Sequence, residues 1–383
     1  MRKLFVVILT FFILFSVGLY SQTWSPIKRL TWKSSWTIKP VIAIDSRNNI
    51  HIVWHDELTK NEEIYYKRSS DAGVTWSERM RLTWNEGESM YPSVTTDSTN
   101  CIHVVWSDGF AICRNIFYKR STDDGETWTT LKQLTWNLCG ANITSIAADI
   151  DNGLHIVWSD YRLEDFEIFY KYSSDTGITW SDLKRLTWNS GDSSRPSIVV
   201  DSEKVIHVVW YDDSPGNPEI FYKHSCDGGV SWSGIKRLSW NNGYSCFPII
   251  RTNSTDNRLH VVWSDNSTGK FEVYYKFSCD GGDTWSKQKR FTWNLIGSYG
   301  PSIAIDSVGG INLVYSGDSD GNLEIYHSNS IDNGATWSVP QRITWSPGWA
   351  DFLSIEADSL NGIHLVWQDN RTGSWEIYYK NRK

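Results

Sequence analysis

Short apolar segments that do not alternate with polar residues recur along the chain. One of them is Ile102-His-Val-Val-Trp106, and Asn115-Ile-Phe-Tyr-Lys119 follows it after a loop. β-branched and aromatic residues favour strands, and a strand that is apolar almost throughout is covered on both faces. No helical periodicity occurs between residues 22 and 383. The pattern therefore predicts an all-β protein.

Residues 92 to 136 contain one complete unit of this pattern. A β-type run from Pro92 to Asp97 ends in a turn, and the two segments above supply a second and a third strand. The phrase Ser121-Thr-Asp-Asp-Gly125 is a further turn, and residues 128 to 136 are expected to form a fourth strand. The unit is predicted to be a four-stranded antiparallel sheet.

A regularly spaced tryptophan shows how often the unit recurs. Successive copies lie 52, 52, 52, 52, 53 and 52 residues apart, at Trp24, Trp76, Trp128, Trp180, Trp232, Trp285 and Trp337. Four-stranded units of near-constant length favour radial repetition in a β-propeller. We therefore expect one seven-bladed β-propeller over residues 22–383.

The two ends of the repeat are complementary. The segment from Trp24 to Trp32 matches a fourth strand, and the segment from Trp375 to Lys380 matches a third strand. The sequence therefore predicts that the N-terminal strand joins the C-terminal blade and closes the ring.

Six of the spaced tryptophans end the phrase Ser-x-Asp-x-Gly-x-x-Trp, whose aspartates are Asp71, Asp123, Asp175, Asp227, Asp280 and Asp332. This phrase resembles the Asp box, or bacterial neuraminidase repeat. The resemblance covers residues 23 to 380 and implies a structural turn between the third and fourth strands, on the face away from the active site. The chemistry agrees, because Asp and Ser side chains satisfy turn amides, Gly accepts a positive φ and Trp packs over the hairpin.

Sialidases of the same superfamily resemble this chain in blade design, yet they have six blades. The resemblance implies an arginine triad that clamps a carboxylate, a tyrosine nucleophile assisted by a glutamate, and an aspartate acid. The nearest match to the first arginine motif is Arg195-Pro196-Ser197-Ile198, which lies in the middle of the chain and lacks the aromatic partner. The resemblance therefore predicts the fold more firmly than the activity.

Residues 1–21 carry Arg2 and Lys3 before a long apolar run, which is typical of a secretory signal peptide. An uncleaved membrane anchor is the alternative. Removal of both basic residues leaves 35 basic against 44 acidic residues, a formal charge of −9. We expect a secreted protein with no membrane attachment after cleavage and no affinity for nucleic acid.

The six cysteines are scattered and do not form a disulfide framework. Cys113 and Cys139 are expected at one end of adjacent strands and are a candidate disulfide. Cys226 and Cys279 occupy equivalent places in neighbouring units, which keeps them too far apart to bond.

The most informative position precedes the first strand of each unit, because it differs from unit to unit and lies near the mouth of the central channel. We expect the ligand face, called the top, to carry these links together with the loops between second and third strands. Aromatic faces stack on sugar rings, and arginines bind carboxylates with two hydrogen bonds. The link residues are Lys39, Tyr91, Ile143, Arg195, Phe247, Gly300 and Phe352, and further top-face candidates are Arg114, Arg162, Arg371, Trp349 and Trp375.

Two repeated polar series are interpreted as structural. Histidines precede the second-strand tryptophan by three residues at His51, His103, His155, His207, His260 and His364. They lie on separate blades and cannot converge on one ion, so a hydrogen-bonded packing role is predicted, with no metal and no cofactor. The glutamates Glu63, Glu167, Glu219, Glu272, Glu324 and Glu376 recur at one strand position, so no catalytic carboxylate pair can be singled out.

These observations leave three hypotheses for function. The favoured one is a secreted and monomeric propeller that binds a glycan or a protein ligand over its top face without catalysis. The second is an exo-acting sialidase-type glycoside hydrolase with Arg114, Arg162, Arg195 and Arg371 as the pool for a carboxylate clamp. The third is a purely structural surface module.

Overall fold

The computed structural model describes residues 23–32, 36–58, 61–110, 113–136, 140–161, 165–253, 255–293, 297–319 and 321–383. The predicted signal peptide, Arg162 and Cys139 lie outside these residues, and with Cys139 the proposed disulfide does too. The described residues contain no helix, and hence none long and apolar enough to cross a membrane.

The strands, numbered in chain order, assemble into seven four-stranded antiparallel sheets within the described residues. The first strands line the channel and are β2 (Thr37–Ile44), β6 (Glu88–Thr96), β10 (Asn142–Ala148), β14 (Ser193–Val200), β18 (Ser245–Thr252), β22 (Ser298–Ile305) and β26 (Ala350–Ala357). The second strands are β3 (Ile50–Asp56), β7 (Ile102–Phe110), β11 (Leu154–Asp160), β15 (Ile206–Asp212), β19 (Leu259–Asp265), β23 (Ile311–Ser319) and β27 (Ile363–Asp369).

The outer half of each sheet consists of a third strand and a very short fourth strand. The third strands are β4 (Glu63–Ser69), β8 (Cys113–Ser121), β12 (Glu167–Ser173), β16 (Glu219–Ser225), β20 (Glu272–Ser278), β24 (Asn322–Ser330) and β28 (Glu376–Arg382). The fourth strands are β1 (Lys28–Arg29), β5 (Met80–Arg81), β9 (Lys132–Gln133), β13 (Lys184–Arg185), β17 (Lys236–Arg237), β21 (Lys289–Arg290) and β25 (Gln341–Arg342). Blades 1 to 6 begin at β2, β6, β10, β14, β18 and β22, and blade 7 consists of β26, β27, β28 and β1.

The expected ring closure is confirmed. β1 pairs antiparallel with β28, with Lys28 opposite Tyr379, and Leu30 N continues the ladder by donating to Ile377 O over 2.8 Å. The sheet order β1-β28-β27-β26 shows that the two chain ends build one blade. The seven-bladed all-β fold predicted from the repeat is correct.

The fourth strand is shorter than the sequence predicts, and a threonine explains why. In blade 2 the ladder of the fourth strand covers only Lys132 and Gln133. Beyond it, Ile116 N of the third strand donates to the Thr135 side-chain oxygen over 2.8 Å. A hydroxyl group thus replaces a backbone carbonyl at the outer edge. The equivalent bond recurs in all seven blades, with Ser239 in place of threonine in blade 4.

The same hydroxyl group also explains why a buried glutamate recurs at one strand position. Glu63 is fully buried, receives the Thr83 hydroxyl and pairs with Arg81 at 2.5 Å. A buried carboxylate is stable only when its oxygens are paired in this way. The same Glu, Arg and Thr or Ser arrangement holds in blades 3 to 7, so these carboxylates are structural.

The Asp boxes join neighbouring blades on the bottom face. In the first box the Ser69 hydroxyl donates to Asp71 and accepts the Gly73 amide, while Asp71 accepts the Thr75 amide at 2.8 Å. Gly73 has a φ of 81° and lies against Tyr379 of blade 7, whose ring meets the Trp76 ring edge-on at 5.0 Å. Each box therefore stabilises a turn and packs on a tyrosine of the preceding blade.

The repeated histidines bind the same tyrosines. His103 Nδ1 lies 2.8 Å from Tyr118 Oη and Nε2 lies 3.1 Å from Asp97. The contact between Nδ1 and the tyrosine hydroxyl is present at all six histidine positions, with distances of 2.7 or 2.8 Å. The histidines therefore take part in hydrogen-bonded packing between second and third strands, as the sequence analysis expects.

Candidate functional site

A ring of backbone bulges surrounds the top of the central channel. In each blade the register between the first and second strands shifts, as between Ile38 and Val41 in blade 1. A bulge places an extra residue in the strand and redirects its side chain. The extra position carries Lys39, Tyr91, Ile143, Arg195, Phe247, Gly300 or Phe352, the seven residues singled out from the sequence.

All seven bulge residues adopt the left-handed conformation, with φ between 32° and 58°. Only Gly300 adopts it without steric cost, and for the other six the conformation is strained. Proline follows five of the seven, including Lys39 and Arg195. Because proline has no N–H to donate, the break in the ladder costs no hydrogen bond there. The fold thus holds a varied set of side chains at the channel mouth at a cost in backbone strain.

These seven residues line one cavity of about 290 Å³. Prolines and small residues form its wall below the ring, and serines there join adjacent blades, as where Ser197 Oγ accepts Ile250 N at 3.3 Å. Deeper in the channel, Arg251 of blade 5 pairs with Glu356 of blade 7 at 3.4 Å, and the equivalent position of the intervening blade 6 is the small Ala304. Burial raises the pKa of Glu356, although its side chain keeps 31% of its surface open to the channel.

Lys39 occupies one side of the cavity among aromatic rings. Its Nζ lies 3.5 Å from the Tyr91 ring centre and 5.3 Å from that of Phe352. Burial, and then the positive charge of Arg195, lower the pKa of Lys39 to about 7. No described residue accepts a hydrogen bond or ion pair from its ammonium group, so its direct contacts are ring faces, while the Glu62 and Asp351 carboxylates attract it at longer range.

Arg195 faces the cavity from blade 4, and its guanidinium carbon lies 4.2 Å from the Phe247 ring centre. Among the described residues no carboxylate lies within ion-pair distance of this guanidinium, and none accepts a hydrogen bond from it. Nearby, burial raises the pKa of the Cys246 thiol to about 12, despite the charge of Arg195. Arg195 therefore keeps its planar donors available to a ligand.

Blades 6 and 7 supply the acidic side of the cavity. Asp351 accepts the Phe352 amide at 2.7 Å, and burial raises the pKa of its carboxyl. Tyr299 also lines the cavity, and burial, followed by the charge of Asp351, raises its pKa to about 12. The site thus combines two cations that lack an ion-pair partner among the described residues, Lys39 and Arg195, with the ion-paired Arg251, one carboxyl group and several aromatic rings.

The other predicted arginines do not join Arg195. Arg114 pairs with Glu88 at 2.5 Å on blade 2, and Arg371 pairs with Asp369 and stacks on Tyr378 at 4.7 Å on blade 7. Neither lines the cavity, and Arg162 is not described. Of the pool of arginines named for a carboxylate clamp, the described structure thus places Arg195 at the cavity, whereas acidic neighbours bind Arg114 and Arg371.

The two predicted tryptophans also lie away from the cavity. Trp349 is 54% exposed, and its amide is held by the Asn370 side chain at 2.7 Å. Trp375 forms a bridge with Trp36 at the junction of blades 7 and 1. The structure thus brings the seven link residues together and leaves both tryptophans on the outer part of the top face.

Sequence reasoning missed a histidine beside the ring of bulges, opposite Ile38. His55 is buried, its Nδ1 lies 2.7 Å from Glu62, and its ring is 5.9 Å from that of Tyr91. Burial lowers the pKa of His55 even though Glu62 opposes the shift. A signal was present, because the position after the second-strand tryptophan is serine in blades 2, 3 and 5 but histidine in blade 1.

Comparison with known proteins identifies the repeat. Residues 92–292 match the family model of the BNR repeat-like domain. An anhydrosialidase from Macrobdella decora is 26% identical over 231 residues, which take in 55% of this chain and 28% of that protein. The matched region thus spans less than a third of this curated relative.

Solved structures share the architecture at low sequence identity. An ulvan lyase, bound to a sugar chain of glucuronic acid and sulfated rhamnose, superposes with a TM-score of 0.65 at 8% identity, over 92% of this chain and 95% of that one. The intramolecular trans-sialidase from Ruminococcus gnavus superposes with a TM-score of 0.53 at 14% identity, again over 92% and 95% of the two chains. At these identities the likeness establishes the fold alone. Because the family model matches more than half of the chain and the described blades carry its repeat, the protein belongs to the BNR repeat-like family.

Proposed function

We propose that the protein binds an acidic sugar residue of a glycan at the mouth of its central channel, without catalysis. The observation that carries this proposal is the pair of cations Lys39 and Arg195, which line one cavity and contact aromatic rings in place of carboxylates. A positive charge held in a concave, partly apolar site attracts an anion that brings apolar surface with it. A sugar carboxylate with its attached ring has both properties.

The cavity suits a single sugar ring in size and lining. Its volume of about 290 Å³ lies at the lower end of the range for small-molecule sites. Tyr91, Phe247 and Phe352 offer ring faces for the apolar C–H surface of a pyranose. Asp351 and Tyr299 supply polar groups for hydroxyls on the opposite side. The bulges hold these groups on strands, which limits the ordering cost of binding.

The comparisons support the choice of an acidic sugar. The similar proteins include an anhydrosialidase and a trans-sialidase, and the ulvan lyase was solved with a sugar chain that contains glucuronic acid. These ligands share a carboxylate on a pyranose ring. The proposal transfers that shared chemistry to this chain and does not transfer a reaction.

The absence of catalysis is proposed from the way the carboxylates are used. Glycoside hydrolysis needs two carboxyl groups about 5–9.5 Å apart across the scissile bond, or a tyrosine equivalent. The repeated glutamates are bound by arginine and threonine or serine, and Arg114 and Arg371 are bound by their own acids. Among the described residues, Arg195 is then the one predicted clamp arginine in the cavity.

The test is calorimetric titration of the purified protein with N-acetylneuraminic acid and with glucuronic acid. Arg195→Ala should weaken binding of the preferred acid by about 10- to 100-fold, since a charge-assisted pair contributes about 1.5–3 kcal/mol. Arg371→Ala is the matched control and should leave affinity unchanged. Equal affinity of the Arg195→Ala protein and the wild type would refute the proposal.

An exo-acting sialidase-type hydrolase is the second candidate, because the anhydrosialidase match covers more than half of this chain. A fluorogenic sialoside separates the two. Turnover that Arg195→Ala abolishes would replace the binding proposal with the hydrolase. We also propose export through residues 1–21 and a monomeric state, to be checked by N-terminal sequencing of the mature protein and by light scattering.

A further inference from the structure

Six of the seven units contain three repeated tryptophans, and blade 6 has Tyr315 in place of the second-strand tryptophan. The contacts within the described residues account for two of the three positions. The second-strand tryptophan, such as Trp210, is fully buried, and the Asp-box tryptophan packs edge-on to a tyrosine, as Trp232 does on Tyr170 at 5.1 Å. The third follows the fourth strand and is more than half exposed in every blade. These rim tryptophans are Trp32, Trp84, Trp136, Trp188, Trp240, Trp293 and Trp345, with 55%, 67%, 62%, 63%, 61%, 67% and 64% of their surface exposed.

A lysine of the next blade supports most rim tryptophans. Lys276, for example, lies 4.9 Å from the Trp240 ring centre, and its ammonium donates to Leu238 O over 2.7 Å. Equivalent lysines lie 5.2–6.0 Å from five other rim tryptophans, and these are Lys67, Lys119, Lys171, Lys223 and Lys380. The contact fixes the indole at the seam between two blades and places a cation beside it.

Shielding of the lysine does not account for the tryptophan. At the seam between blades 5 and 6 the position equivalent to Lys276 is Ser328, yet Trp293 is retained and is 67% exposed. Single exposed tryptophans are ordinary, whereas seven at one place in a closed ring form a repeated apolar surface. An arginine of the same blade also lies near most of these indoles, as Arg290 does at 5.7 Å from Trp293, and more than half of each indole stays available for a contact outside the chain.

The seam at Trp240 shows the chemistry of that contact. A groove of about 510 Å³ is lined there by two indoles, Trp240 and Trp285, and by four basic residues, Lys236, Arg237, Lys276 and Lys287. Glu219 neutralises Arg237, and Lys236 lies 3.4 Å from Asp283. No acidic residue lines the described groove, so Lys276 and Lys287 leave it positive on a chain whose formal charge is −7.

We propose that the rim tryptophans form a circle of stacking sites for an extended acidic polysaccharide. A sugar ring would lie on the exposed indole face. At the Trp240 seam its carboxylate or sulfate would face the exposed Lys287, with the buried ammonium of Lys276 behind it. A ligand with repeating units fits sites that repeat once per blade, because each occupied seam raises the local concentration of the chain at the next. These sites lie on the outer edge and do not use the central cavity, so they do not depend on the function proposed above.

The test uses affinity electrophoresis through gels that contain polygalacturonate, dextran sulfate or neutral dextran. The double variant Trp188→Ala/Trp240→Ala should lower affinity for the acidic polymers at least tenfold with an unchanged melting temperature, and neutral dextran should not retard the wild type. Lys276→Met should weaken binding of the acidic polymers by about threefold. Trp293→Ala, at the seam without lysine, is the matched control and should change affinity less than either.

Three outcomes would overturn the inference. The first is that the acidic polymers retard the double variant as strongly as they retard the wild type. The second is equal retardation by neutral dextran, which would remove the role of charge. The third is that Arg195→Ala loses retardation while the tryptophan variants keep it, which would place the polymer at the channel mouth. If one acidic polymer retards the wild type at 150 mM salt and the other does not, that difference decides between a carboxylate and a sulfate ligand. If Arg195→Ala loses monosaccharide binding and keeps polymer binding, the two sites are independent.

Discussion

Lys39 and Tyr91, on neighbouring blades, meet across the mouth of the channel, where Lys39 Nζ lies 3.5 Å from the centre of the Tyr91 ring. Both residues occupy bulges with a φ of 54°. Two strained backbone positions, one on each blade, thus bring these two side chains into contact. That contact holds a cation on a ring face and leaves its charge available to a ligand anion.

Binding of an acidic sugar should depend on pH because of Lys39. Since the pKa of Lys39 is lowered to about 7, its positive charge is present at pH 6 and mostly lost at pH 8. Affinity for the acidic sugar should therefore fall about 3- to 10-fold between these values, as expected for the loss of one favourable charge contact. Titrations of Lys39→Met should show a flat profile. A wild-type profile that is also flat would contradict the role of Lys39.

The same shift predicts a change in stability with pH. Because the pKa of Lys39 lies below its ordinary value of 10.5, the folded protein binds fewer protons than the unfolded chain between about pH 7 and 10.5. The contribution of Lys39 to stability therefore rises across this window. Denaturant unfolding of Lys39→Met should lose that rise relative to the wild type, and an identical slope in both proteins would be inconsistent with the shift.

Ile143 is the most unfavourable residue of the bulge ring, since it is β-branched and has a φ of 32°. Ile143→Asn should raise the free energy of unfolding by about 1 kcal/mol, because asparagine tolerates the left-handed region. The reciprocal change Gly300→Ile should lower it by a similar amount, since Gly300 has a φ of 58°. Urea denaturation compares the two, and shifts of the same sign would argue against strain as the cause.

The sequence was sufficient for the architecture because the repeat fixes both the blade and its neighbours. The offset between copies placed Lys39 and Arg195 at one level of the channel, which the cavity lining bears out. The sequence alone could not show that Lys39 contacts an aromatic ring in place of a carboxylate, since this contact depends on side chains from blades that are distant in sequence. The pairing of Arg251 with Glu356, 105 residues apart, was hidden for the same reason.

Arg371 lies away from the cavity for a local reason that the sequence did contain. Arg371 follows Asp369 by two residues, and the Asp369 carboxylate accepts both its amide, at 2.8 Å, and its guanidinium. Turn aspartates commonly bind the backbone two residues on, so this arginine was already placed within reach of an acid. An arginine beside a turn aspartate is a weaker ligand candidate than Arg195, whose neighbours in the chain are Ser194 and Pro196.

The Asp-box glycines should differ in their tolerance of a side chain. In Gly125→Ala the new Cβ would overlap the Tyr66 hydroxyl, which is held by His51 at 2.8 Å and cannot easily retreat. We expect a loss of at least 2–3 kcal/mol of stability from the clash together with the φ of 83°. Gly228→Ala, with a φ of 70° and open space around it, should lose only about 1 kcal/mol. Equal losses in thermal unfolding would exclude the clash as the cause.

Ring closure should be sensitive to one hydroxyl group in the N-terminal strand. Thr31 Oγ1 accepts Ile377 N at 2.9 Å and donates to the buried Glu376, so it bonds both a backbone donor and a buried carboxylate of the C-terminal strand. Thr31→Val keeps the shape of the side chain and removes the partner of Ile377 N and of one Glu376 oxygen, whose other oxygen stays paired with Arg29, and this should cost about 2–3 kcal/mol. Thr83→Val is the matched control, because Thr83 makes the same two bonds within blade 1.

The two variants should differ in where the loss appears. β5 follows its partner β4 directly along the chain, whereas β1 is separated from its partner β28 by the whole ring and is held to it by non-covalent contacts. In Thr31→Val the strand should therefore detach locally before the protein unfolds, and hydrogen exchange of residues 23–32 should accelerate at least tenfold. In Thr83→Val the exchange of residues 78–84 should follow global stability. Equal local acceleration at both sites would mean that closure is no weaker than any other blade edge.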